Sequence, residues 1–144
     1  MTELSLTTER VINASPKTVF DAWLDPEMLR RFMIPGDGMS VPSARTDPKV
    51  GGRFDIIMQA GDQQMPHAGT YTEINPHERI VFTWESPFST DDSTVTLTFR
   101  PVDGGTHVTL HHVRFPDEES RNNHEGGWNA ILGALDTALS KEMT

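Results

Sequence analysis

The 144-residue sequence predicts an α+β fold, in which a curved antiparallel β-sheet wraps around a long C-terminal α-helix. Three observations support this prediction. Apolar and polar residues alternate through the middle of the chain, which is typical of strands with one buried face. Two helix-start signals precede this region, and apolar residues at helical spacing follow it. Because the sheet has one apolar face, we expect the long helix to cover it.

The segment before the sheet predicts one strand and two short helices. Near-alternating apolar residues in the threonine-rich stretch Leu4–Ile12 indicate the strand. Ser15-Pro16 and Asp25-Pro26 each place a capping side chain before a proline, which is favoured at the first helical position. We expect the second helix to end before Pro35-Gly36-Asp37-Gly38.

The middle of the chain predicts an antiparallel meander. Turn signals at Gly51-Gly52, Asn75-Pro76 and Asp103-Gly104-Gly105 separate its alternating stretches. Because both glycine pairs lie between strands, we interpret them as turns and not as phosphate-binding loops. The apolar positions expected on the concave face are Phe54, Ile56, Phe82, Trp84, Leu97, Phe99 and Leu110.

The last segment predicts the long helix. Its start, Pro116–Glu119, carries acidic side chains where the helix dipole favours them. An amphipathic stripe then recurs at spacings of three, four and seven, formed by Trp128, Ile131, Leu132, Leu135 and Leu139.

Composition restricts the class of protein. The length is that of one domain, so we expect residues 1–144 to form a single domain. A net charge of −9 with scattered arginines argues against nucleic-acid binding, and no apolar run is long enough for membrane insertion. The absence of cysteine and of a signal-peptide pattern favours a soluble cytoplasmic protein, which we expect to be a monomer or homodimer.

The six histidines do not form a metal-binding pattern. His107 and His111 project to the wet face of one predicted strand, with no carboxylate at matching spacing and no cysteine in the chain. We therefore predict neither a native metal nor a cofactor.

Four other titratable side chains are candidates for a functional site. His112 projects inward, where either a core partner or a ligand satisfies its imidazole. His124 and Arg121 share the stripe of Trp128, which indicates either a cavity with a wet mouth or a solvated first turn. Glu73 is a candidate cavity carboxylate if Gly69 and Tyr71 face inward, and the neighbouring Ile74 leaves that register open.

Large aromatic and methionine side chains at inward positions fit either a packed core or a pocket for a planar apolar ligand. Trp128 is expected to line such a cavity opposite His112. The candidate ligand-binding residues are Trp23, Phe32, Phe54, Ile56, Met58, Tyr71, Phe82, Trp84, Leu97, Phe99, Leu110, His112, His124, Trp128 and Leu132.

A set of motifs in order along nearly the whole chain resembles a known family. The sequence is similar to the SRPBCC (START-like, birch-allergen-like) superfamily and, within it, to the family named after the activator of the heat-shock-protein 90 ATPase. The matching residues are Ser15-Pro16-x-x-Val19-Phe20-x-Ala22-Trp23 with Asp25-Pro26, Val50-Gly51-Gly52-Arg53-Phe54, Gly69-Thr70-Tyr71-x-Glu73-Ile74-x-Pro76-x-x-Arg79-Ile80-Val81-Phe82-Thr83-Trp84, Thr106-x-Val108-Thr109-Leu110-x-His112, Phe115 and His124-x-x-Gly127-Trp128-x-x-x-Leu132.

The resemblance implies a helix-grip domain of order β-α-α-β6-α with a deep hydrophobic cavity. Relatives bind lipids, sterols, polyketides or other small hydrophobic molecules, and some are enzymes. We expect this chain to lack the N-terminal domain with which the eukaryotic activator contacts its chaperone.

Three functions remain open from the sequence. The first is binding of a small hydrophobic ligand, with no catalytic residue assigned. The second is a cyclase- or hydrolase-type enzyme, with His112, His124 or Glu73 as acid–base residue. The third is a protein-interaction or chaperone-related stress module.

Overall fold

The computed structural model describes residues 4–34, 36, 38–86 and 93–142. Its helices are α1 (Pro16–Leu24), α2 (Pro26–Phe32) and α3 (Glu118–Glu142). Its strands are β1 (Ser5–Ile12), β2 (Met39–Thr46), β3 (Arg53–Ala60), β4 (Gln63–Asn75), β5 (Arg79–Thr83), β6 (Thr94–Val102) and β7 (Gly105–Val113). No described helix is long and apolar enough to cross a membrane.

Both predicted helix caps are confirmed. The side-chain oxygen of Ser15 accepts a hydrogen bond from the backbone N–H of Thr18. That of Asp25 accepts one from the N–H of Glu27, so the short link between α1 and α2 also caps the second helix. α2 ends at Phe32, which confirms the prediction that it ends before Pro35, while residues 35 and 37 themselves lie outside the described residues.

The described strands form one antiparallel sheet with the order β1-β7-β6-β5-β4-β3-β2. Strands β2 to β6 each pair with the next strand along the chain, which confirms the predicted meander, and β1 joins it beside β7. Gly51 and Gly104 lie in the predicted turns with φ angles of 87° and 81°. Glycine adopts this left-handed region without steric cost.

The concave face of the sheet, the two short helices and α3 enclose the core. Every residue predicted for the concave face is at most 4% exposed, although Trp84 follows the last residue of β5. The predicted apolar stripe of α3 is at most 3% exposed, and the helix packs against β1 and α2. The predicted helix-grip arrangement is therefore confirmed.

Candidate functional site

A cavity of about 140 Å³ lies between the sheet and the N-terminal half of α3. Trp84 and Trp128 line the cavity, and both side chains are buried. Their ring centroids lie 5.0 Å apart. Asn123 on α3 is exposed, so the outer end of the cavity meets solvent. The residues that line the cavity are Met39, Met58, Met65, His67, Trp84, Asn123, His124, Gly127, Trp128 and Ile131.

A second void lies deeper, between α1, α2 and the sheet, and measures about 10 Å³. This is about the space of one water molecule, so the side chains around it form packed core. They are Trp23, Leu29, Met33, Phe54, Ile56, Tyr71 and Phe82.

The predicted ligand-binding residues therefore divide into three groups. The larger cavity brings together Met58, Trp84, His124 and Trp128. The small void is lined by Trp23, Phe54, Ile56, Tyr71 and Phe82. Neither of the two cavities is lined by the buried residues Phe32, Leu97, Phe99, Leu110, His112 and Leu132.

The sequence reasoning did not assign six of the lining residues to the site. They are Met39, Met65, His67, Asn123, Gly127 and Ile131. Ile131 belongs to the predicted stripe of α3, and that stripe could have identified it. His67 lies in a polar stretch of β4 where alternation gives no inward signal.

His112 has protein partners for both ring nitrogens, which supports the reading of a satisfied core histidine. The indole Nε1–H of Trp128 donates to Nδ1 at 3.0 Å, and Nε2 lies 2.7 Å from the hydroxyl oxygen of Ser93. Because an indole N–H can only donate, Nδ1 carries the lone pair and the proton sits on Nε2. Burial, with smaller contributions from His124 and His111, lowers the pKa of His112 to about 3.

This tautomer bears on the hydrolase hypothesis. A histidine that activates a serine must present a lone pair to the hydroxyl proton. Here the Nε2–H of His112 donates to Ser93 instead, so the pair has the wrong polarity for nucleophile activation. The contact is structural.

Glu73 is not a cavity residue. A register shift between Tyr71 and Glu73 breaks the alternation of β4, so that Tyr71 is buried while the Glu73 side chain is 44% exposed. Its carboxylate lies 3.5 Å from the Nε of Arg79 in a surface ion pair. The bulge inserts one residue and turns the side chain outward.

Arg121, from the same predicted stripe as His124, anchors the helix instead of lining the cavity. Its Nε–H donates to the backbone carbonyl of Ser5 at 2.6 Å, and its Nη2 lies 3.7 Å from the Glu125 carboxylate. It thereby ties the start of α3 to β1.

Two histidines line the cavity with the same tautomer. Nδ1 of His67 lies 3.0 Å from the carbonyl oxygen of Met65, and Nδ1 of His124 lies 2.7 Å from that of Ser120. Because a carbonyl only accepts, each Nδ1 carries the proton and each Nε2 presents a lone pair. Neither Nε2 has a hydrogen-bond partner among the described residues.

The cavity is electrically neutral near physiological pH. Burial, with a smaller contribution from His124, lowers the pKa of His67 to about 4, and burial also lowers the pKa of His124. No Asp, Glu, Lys or Arg is among the described residues that line it. In the described part of the chain, no three His, Asp or Glu side chains are grouped to hold a metal ion.

Comparisons with known proteins agree with this architecture. The family model described as Activator of Hsp90 ATPase homolog 1-like protein matches residues 13–140. A search of curated proteins gave no match.

Several solved structures share the fold. A protein from Chromobacterium violaceum is 27% identical, with 93% of this chain and 95% of that chain covered and a TM-score of 0.83. The AHSA1 protein from Silicibacter pomeroyi is 28% identical, with coverage of 96% and 99% and a TM-score of 0.79. An AHSA1-like protein from Aeromonas hydrophila has a TM-score of 0.84 at 24% identity and coverage of 96% and 94%, a likeness of fold alone.

Proposed function

We propose that this chain, which belongs to the family of Activator of Hsp90 ATPase homolog 1-like proteins, binds a small hydrophobic molecule. The binding site is the cavity beside α3. The observation that supports this function is a cavity of about 140 Å³ within an otherwise packed aromatic core. Protein interiors leave few spaces larger than one water molecule, since empty space forfeits dispersion contacts.

The size of the cavity favours a molecule with one ring. An apolar cavity of roughly 150 Å³ holds benzene, whereas pockets for drug-sized ligands measure roughly 300–1,000 Å³. A sterol or a long acyl chain needs more space than the cavity offers. We therefore narrow the expected ligand from small hydrophobic molecules in general to small planar ones.

The walls suit such a ligand. The rings of Trp84 and Trp128 provide flat apolar surface, tilted by 57° to each other. Met39, Met58 and Met65 complete the wall, and methionine side chains adjust their rotamers to irregular shapes at low cost.

Titration with toluene tests the proposal. We expect saturable binding with a Kd of about 100 μM, about −5.5 kcal/mol, followed by tryptophan fluorescence or backbone amide shifts. Ile131→Phe places extra volume in the cavity and should weaken binding at least tenfold. Leu139→Ala, a core truncation two turns further along α3, should leave the affinity within about twofold.

Folding of both variants is first checked by circular dichroism, because core changes of this kind cost roughly 1–5 kcal/mol. Absence of saturable toluene binding to the wild-type protein would show that the cavity is not a ligand site. Equal losses in the folded Ile131→Phe and Leu139→Ala variants would place the ligand elsewhere.

A further inference from the structure

We infer that the ligand is a one-ring aromatic molecule with a neutral hydroxyl group, a phenol, whose O–H donates to Nε2 of His67. This inference rests on the proposed function of the cavity and names the chemical class that the site recognises. Its basis is an acceptor atom, on a buried side chain, that has no partner among the described residues.

His67 is held for this role by its own strand. Its Nδ1–H is occupied by the Met65 carbonyl, and its ring lies against Trp84 with centroids 5.0 Å apart. The residue is 8% exposed and lines the cavity. The ring is therefore fixed in position and tautomer. Its Nε2 presents a lone pair that no described residue uses.

The free Nε2 is not fully buried, and His67 lines the cavity. Among the described residues, the fully buried side-chain nitrogens and oxygens without a partner are the indole nitrogens of Trp23 and Trp84 alone. The unpartnered Nε2 of His67 is not among them, so some of its surface is open. A ligand group in the cavity can reach it.

His124 presents the same chemistry in a wetter place. It is half-buried beside the exposed Asn123, where bulk water can satisfy its Nε2. When a ligand displaces water from the cavity, Nε2 of His67 loses its hydrogen-bond partner, whereas Nε2 of His124 keeps access to bulk water. A buried polar atom without a hydrogen bond costs about 1–3 kcal/mol. The deeper histidine therefore selects for a donor on the ligand.

The charge of the cavity excludes ionised ligands. No described lining residue carries a carboxylate, ammonium or guanidinium group that could pair with one. Burial of an unpaired ion is costly, so benzoate and anilinium are disfavoured. A neutral hydroxyl is a donor that satisfies His67 without bringing a charge, and it is the group that we test.

Phenol and toluene form the decisive pair of probes, because a hydroxyl and a methyl group differ little in size. In a cavity without an acceptor, phenol would lose its bonds to water and bind much more weakly than toluene. We expect phenol to bind the wild-type protein at least as tightly as toluene, and benzoate at neutral pH to show no saturable binding.

The variant His67→Phe keeps an aromatic ring at this position and removes the Nε2 acceptor. It should lower phenol affinity at least tenfold while toluene affinity changes by less than threefold. His111→Phe, on the exposed face of β7, is the matched control and should change neither. A loss of phenol binding in His124→Phe but not in His67→Phe would overturn the assignment to His67.

A nitrogen-15 spectrum of the wild-type protein gives a second readout that needs no variant. Phenol should move the resonance of the unprotonated Nε2 of His67 upfield, as expected for an accepted hydrogen bond, and toluene should leave it near its original position. If toluene binds and phenol binds far more weakly, the phenol inference is wrong and the proposed cavity function stands. If neither probe binds, the proposed function itself fails.

Discussion

At the scale of single residues, the site depends on which ring nitrogens of His67, His112 and Trp128 carry a proton. Trp128 fixes the tautomer of His112, and the carbonyl of Met65 fixes that of His67. In contrast, the indole N–H groups of Trp23 and Trp84 are buried without a partner. An unsatisfied buried donor costs about 1–3 kcal/mol, so the tryptophans are not energetically equivalent.

Two Trp→Phe substitutions distinguish a tryptophan whose N–H is hydrogen-bonded from one whose N–H has no partner. Trp128→Phe leaves Nδ1 of His112 buried without its donor, whereas Trp84→Phe removes a donor that has no partner. We expect Trp128→Phe to lower the free energy of unfolding by about 1–3 kcal/mol more than Trp84→Phe. Urea denaturation at pH 7 measures both, and equal losses would contradict the tautomer assignment.

The buried histidines also make stability depend on pH. The folded-state pKa values of His67 and His112, about 4 and about 3, lie below the ordinary value of 6.5. Below that value the unfolded chain binds more protons than the folded one, so stability is lost as pH falls. Between pH 7 and pH 5 we expect a loss of about 2 kcal/mol for each of the two histidines.

The substitution His67→Phe should reduce this acid sensitivity much more than His111→Phe, which removes an exposed imidazole of β7. Denaturation curves at pH 7 and pH 5 for the three proteins provide the measurement. A wild-type free energy of unfolding that is the same at both values would show that these imidazoles are not buried as neutral rings.

At the scale of elements, strand β4 decides which residues reach the site. It pairs with β3 without interruption but shifts register against β5 between Tyr71 and Glu73. Where β4 meets the end of β5, Gly69 lets the strands approach closely. A Cβ there would lie 1.9 Å from the carbonyl oxygen of Thr83 and 2.6 Å from the ring of Phe54.

Two glycine substitutions test this packing. We expect Gly69→Ala to destabilise the protein by roughly 1–3 kcal/mol, since backbone must move to make room. Gly126→Ala, at an exposed position of α3 with no atom within 4 Å of the new Cβ, should stabilise it by about 1 kcal/mol. Thermal denaturation measures both effects, and a tolerated Gly69→Ala would mean that β4 and β5 are not packed this closely.

The elements themselves were largely predictable. Strands with one buried face and capped helices follow from alternation and from the Ser-Pro and Asp-Pro pairs. Strand β2 gave little signal, because Val41 is its one buried residue and Pro42 lies next to it at the edge of the sheet. At the β4 bulge, the apolar Ile74 next to Glu73 left the register open in the sequence, so the orientation of Glu73 could not be predicted.

At the scale of the whole molecule, the aromatic residues have two different roles, core packing and lining of the cavity. Most of them fill the space between the short helices and the sheet, where the remaining void measures about 10 Å³. Among the described aromatic residues, Trp84 and Trp128 border the open space beside the N-terminal half of α3. Periodicity identifies inward positions but not how tightly they close, which is why the sequence placed core and cavity residues in one candidate site.

The central claim is that this open space holds a one-ring apolar molecule. The most direct measurement is a set of intermolecular NOEs between toluene and methyl-labelled protein. Binding in the cavity predicts contacts to the methyl groups of Met58, Met65 and Ile131, and none to the core residue Leu97. NOEs confined to exposed groups such as Val50, or none at a saturating toluene concentration, would contradict the account.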